Sequence, residues 1–102
     1  MITSKFFNMG QLVSTQKINK VMNTDDRFAA EVCLSLKRYA IKDWGLLEPE
    51  DCKQNDDALR EPDDLYLLGA YQTSRGRIWI ITNRISEEQD DNVTTVLFPD
   101  EM

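Results

Sequence analysis

Apolar positions along this chain follow two rhythms, and the change between them divides it. From Gln16 to about Arg60 they recur every three or four residues, the period of an amphipathic helix. From Leu65 to Phe98 they come in short runs of β-branched and aromatic residues, which suit a pleated, half-buried surface.

The clearest helical stripe is Phe28, Val32, Leu36 and then Tyr39 or Ala40, and it predicts a helix over about 26–41. Asp25 and Asp26 stand at its positive end and Lys37, Arg38 and Lys42 at its negative end, each stabilising by about 0.3–1 kcal/mol. A shorter helix over about 16–22 follows a cap at Ser14 or Thr15, with Ile18, Val21 and Met22 on one face. A third, over about 49–60, opens on Pro49 with Glu50 and Asp51 in its first turn; Cys52, Asn55, Ala58 and Leu59 form its inward face. Between the second and third, Asp43-Trp44-Gly45 reads as a stop, with Gly45 left-handed and Trp44 folded onto the core.

Three strands are predicted at about 65–73, 77–84 and 93–98, and Ser74-Arg75-Gly76 makes the first connection a tight hairpin. Gln11-Leu12-Val13-Ser14 can add an edge strand, with Phe6-Phe7 on the far side of Gly10. The expected fold is therefore α+β: an antiparallel sheet of three to four strands packed by helices, one domain over residues 1–102. Alternation along the strands puts apolar side chains on both sheet faces. A few short helices cover one face easily, so the second needs either the N-terminal segment wrapped across it or another chain. The wrapped arrangement is the expected one, and a homodimer or partner interface the alternative.

Charge narrows the partners. The net charge of −6 divides into +3 over residues 1–47 and −9 over residues 48–102. An acidic second half argues against direct binding to nucleic acid or to acidic membranes. It permits basic protein surfaces, with Asp63, Asp64, Glu87, Glu88, Asp90 and Asp91 as the candidate contacts and Trp44 as a candidate anchor. No apolar run reaches the ~20 residues of a membrane span, and no signal segment stands at the N-terminus, so a cytoplasmic location is expected.

Chemistry is thinly represented. There is no His, which removes the commonest general base and metal ligand. The glycines at positions 10, 45, 69 and 76 build neither a phosphate loop nor a dinucleotide fingerprint. Cys33 and Cys52 have no metal-ligand spacing and read as reduced thiols. Asp43, Asp51 and Asn55 are the one set that could converge as a small carboxylate site, although capping and buried hydrogen bonding account for them more simply. No cofactor, no metal and no enzymatic activity are expected.

Several runs together carry a resemblance: Val13-Ser14-Thr15 with Ile18-Asn19, Asp43-Trp44-Gly45, Leu68-Gly69-Ala70-Tyr71, Ile78-Trp79-Ile80-Ile81-Thr82, and Thr94-Thr95-Val96-Leu97-Phe98-Pro99 before Glu101. In these the chain resembles small "plasmid-related" proteins carried by plasmids, conjugative elements and phages of Gram-positive bacteria. It departs from them at Asn83-Arg84, where an acid is usual, and in the longer acidic segment from Ile85 to Asn92. The resemblance implies a mobile genetic context and no particular activity. With the charge pattern, it leads to the expectation of a stoichiometric inhibitor of a host defence protein, such as an anti-CRISPR factor acting on a nucleic-acid-binding effector. A homodimeric accessory or antitoxin-like protein is the alternative, and a small enzyme the third reading.

Overall fold

A computed structural model describes residues 2–60, 65–84 and 92–102. The elements run β1 (Gln11–Ser14), α1 (Gln16–Thr24), α2 (Asp26–Ala40), α3 (Pro49–Arg60), β2 (Tyr66–Thr73), β3 (Gly76–Arg84), β4 (Asn92–Leu97) and a final 3-10 turn (Pro99–Glu101). The α+β expectation holds, and every predicted helix and strand is present within about two residues at each end.

Local chemistry explains the boundaries. The Thr15 hydroxyl accepts from the Ile18 N–H and caps α1, and the Asp25 carboxylate accepts from the Phe28 N–H at 3.1 Å and caps α2. With Asp25 as that cap, α1 continues through Asn23 and Thr24. At the other end of α2 the left-handed residue next to the helix is Lys42 (φ 65°); Gly45 is left-handed as expected, but three residues further on. Gly45 (φ 74°) serves a different purpose: it lies against β2, where a Cβ would stand 2.0 Å from the Ala70 carbonyl oxygen.

The sheet order is β1-β4-β3-β2. β2, β3 and β4 form the expected antiparallel meander, with Leu67 opposite Thr82 and Ile80 opposite Val96. β1 departs from expectation by pairing parallel to β4, Gln11 beside Val93 and Ser14 beside Val96, so the sheet is mixed. A chain that leaves β1 through α1 and α2 has the long crossover that parallel pairing needs.

All three helices gather on one side of this sheet. Phe28, Val32, Leu36, Tyr39 and Ala40 from α2, with Ile18 from α1, interlock with Leu67, Tyr71, Ile78, Ile80, Val96 and Phe98. Each such buried side chain contributes about 1.5–3 kcal/mol. Through this core runs a one-way hydrogen-bond chain: the Tyr39 hydroxyl donates to Thr82 Oγ1 (2.7 Å), Thr82 to Thr94 (2.7 Å), and Thr94 to the Met9 carbonyl (2.6 Å). Burial pushes the Tyr39 phenol well above its ordinary value, so it stays a neutral donor.

That last contact overturns one expectation. The N-terminal arm does not cross the second sheet face. It lies with the helices: Ser4 Oγ donates to the Ala40 carbonyl (2.7 Å), and Phe7 packs edge-on to Tyr39, with ring centroids 5.5 Å apart. The reason is polar as well as apolar, since Thr94 and Asn92 reach the arm's carbonyls from the core side of β4. No helix is long and apolar enough to cross a membrane among the described residues.

Candidate functional site

The sheet face turned away from the helices is the candidate site. Register defines it: Ala70–Trp79–Leu97 form one cross-strand row, Leu68–Ile81–Thr95–Val13 the next, and Tyr66–Asn83–Val93–Gln11 the last. Arg77 and Gln72 close the hairpin end. Ala70, Ile81 and Leu97 are buried yet stand outside the main core cluster. Trp79, Leu68, Val13, Val93 and Thr95 are half-buried, and Tyr66 is 51% exposed. Among the described residues no element lies across them.

Of the thirteen side chains that this register sends to the face, one, Arg77, is charged. With 29% of the chain charged, about four would be expected by composition alone. Ordinary solvent-facing sheet faces alternate to polar residues. A contiguous, nearly uncharged face of this kind is a candidate contact surface.

Asp63 and Asp64 precede β2, and Glu87, Glu88, Asp90 and Asp91 join β3 to β4; all six lie outside the described residues. Connectivity alone attaches both segments to the sheet end that carries Tyr66, Asn83 and Val93. Trp44, the seventh sequence candidate, is 4% exposed and packs against Tyr39 and Phe7, with ring centroids 5.3 and 6.1 Å away. A side chain so withdrawn has no face to present, and it anchors the core instead.

The carboxylate set does not assemble. Asp43 is held by the Arg38 guanidinium at 2.7 Å and accepts from the Gly45 N–H, and the Arg38 contact lowers its carboxyl below the usual range. Asn55 is 4% exposed and turned to β2, its amide donating to the Leu68 carbonyl (2.7 Å) and accepting from the Leu68 N–H (3.1 Å). Asp51 is exposed in the first turn of α3. Cys33 is exposed and Cys52 half-buried, both as free thiols. Among the described residues no group of three His, Cys, Asp or Glu side chains is placed to hold a metal ion.

The residues missed as site candidates are Trp79, Leu68, Tyr66 and Val13. Their signal was present in the strand alternation, as a whole parity class almost free of charge. It was obscured because the other parity class is apolar too. Compared with family models, curated proteins and solved structures, the chain matches none.

Proposed function

We propose that this protein is a stoichiometric protein-binding factor of a mobile element, acting in the host cytoplasm to block a defence protein whose own ligand is nucleic acid, as an anti-CRISPR factor would. The nearly uncharged sheet face, which no described element crosses, is the observation that carries the reading. Its half-buried Leu68, Trp79, Val13 and Val93 and its exposed Tyr66 gain free energy when another protein removes them from water, about 25 cal/mol per Å² of apolar area. The six acids in segments attached to one end of that face supply the second support. Opposite a basic nucleic-acid channel they would steer encounter and raise the association rate more than the affinity. The resemblance to plasmid-borne proteins supports the genetic context.

The experiment is paired capture from host cells, with the parent chain and a Trp79→Asp variant as baits. The parent is expected to retain a nucleic-acid-binding protein, to titrate its nucleic-acid binding at one copy per effector, and to lose it on Trp79→Asp. Reversing the acids at 87, 88, 90 and 91 should slow association and flatten its salt dependence. A partner held equally by both baits, or none at all, would sink the proposal.

The same face favours one other reading, a homodimeric accessory or antitoxin-like protein in which two copies pair their open faces. Sedimentation at micromolar concentration decides between them. A stable dimer that Trp79→Asp dissolves supports this second reading, and a monomer removes it.

A further inference from the structure

The two edges of the sheet are finished differently. At the middle of β2 the outward backbone groups are taken: Leu68 by the Asn55 amide, Ala70 by the Trp44 carbonyl (3.1 Å) and the Leu46 N–H (2.7 Å). This is how an edge strand is protected from adding further chains. At β1 the Thr15 N–H donates to the Val96 carbonyl (3.2 Å), and in a parallel ladder alternate residues face the neighbour. Val13 and Gln11 therefore face β4, and the N–H and C=O groups of Leu12 and Ser14 face outward. Among the described residues nothing meets them. Beside them a cavity of about 470 Å³ opens between β1 and the N-terminal arm, lined by Ile2, Phe7, Met9, Gly10 and Leu12 among others.

We propose that the outer edge of β1 binds an extended segment of another protein by strand addition, with one bulky apolar side chain seated in this cavity. The outward groups of Leu12 and Ser14 lie two residues apart, the repeat at which an extended backbone presents its own donors and acceptors. Leu12 stands opposite Thr94 in register, hence on the helix side of the sheet, the side on which the arm and the cavity lie. In an added antiparallel strand, the residue opposite Leu12 sends its side chain to that same side. The cavity volume falls in the range of ordinary ligand pockets, ~300–1,000 Å³. A second copy fits less well: its own β1 is four residues long and passes into α1 within two residues, so it would bring a helix to the cavity. A free extended segment has no such appendage.

The site is separate from the open face, and its test is independent of that reading. The probes are end-capped heptapeptides of alternating threonine with lysine at the ends and leucine, phenylalanine, tryptophan or alanine at the centre. Binding is followed by amide chemical shifts and hydrogen exchange on the intact chain. The bulky-centred peptides are expected to saturate with a Kd below about 1 mM and to protect the Leu12 and Ser14 amides. The alanine peptide should bind about tenfold more weakly, as should peptides N-methylated at the amides facing β1, since each loses one anchoring contact. Methylating the opposite amides should leave binding within about twofold, and Trp79→Asp should bind the peptides as the parent does. Failure of every peptide to saturate by about 5 mM would overturn the proposal. So would protection placed on Trp79 and Ile81, indifference to N-methylation, or concentration-dependent protection of Leu12 and Ser14 without peptide, which would make a second copy the occupant.

Discussion

Asn55 is the most informative single position for testing how this fold is closed. It is the one fully buried side chain of an otherwise polar α3, and both ends of its amide are spent on the Leu68 backbone. Replacing it with Ala removes two hydrogen bonds, each worth about 0.5–1.5 kcal/mol net, and leaves a strand N–H and C=O without protein partners. Leu68 is half-buried, so water recovers part of that loss, and the expected destabilisation is about 2 kcal/mol. For a domain of this size that lowers Tm by about 8–16 °C. Urea titration gives the free energy, and native-state exchange gives its location: the Leu68 amide should lose protection while Ala70, bonded to the Trp44 carbonyl, keeps its own. Asn55→Asp adds a signed test. The ionised carboxylate cannot donate to the Leu68 carbonyl and should destabilise more than Asn55→Ala near pH 7; once protonated it can donate, so its deficit relative to the parent should shrink as pH falls. An Asn55→Ala protein within about 0.5 kcal/mol of the parent, with Leu68 exchange unchanged, would refute the clamp.

Four further outcomes are expected. Thr82→Val is nearly isosteric but interrupts the chain from Tyr39 to Met9, leaving the Tyr39 hydroxyl without its acceptor; it should cost about 1–3 kcal/mol by urea titration, and Tyr39→Phe, which removes only the first donor, should cost less. Gly45→Ala must hold a left-handed residue, costing about 1–2 kcal/mol, and also push against the Ala70 carbonyl, so the total loss should exceed that range. Asp43 titrates below the ordinary aspartate value of 3.8 because Arg38 holds its charged form; its contribution is therefore complete above that value and lost as pH falls through the lower folded one. Asp43→Asn should flatten that acid-side decline in stability, measured by urea titration from pH 7 to pH 2, and an unchanged slope would contradict the ion pair. Trp79→Asp should leave the far-UV circular dichroism spectrum as it is while abolishing partner or dimer binding, because the helix-side core does not include it.

Local physics made much of this protein readable from its residues. The α2 stripe, the Asp25 cap, Pro49 at the head of α3 and the Arg77–Thr82 run each depend on neighbours within a few positions, and each stands where periodicity and capping place it. Even the surplus of apolar residues on both sheet faces was legible, since strand alternation assigns parity without knowledge of the fold. Tertiary structure decided what such local terms cannot rank. Whether the N-terminal arm joined the helices or crossed the open face depended on Thr94 and Asn92 meeting its carbonyls from more than eighty positions away. Whether β1 ran parallel or antiparallel depended on the crossover through α1 and α2, and Asn55 became an edge clamp only because packing set α3 beside β2. Long-range pairings carry a closure entropy and a geometric choice that no window of sequence contains. For that reason the proposed contact surfaces, a sheet face and a sheet edge that no described element covers, emerged only when the strands were placed side by side.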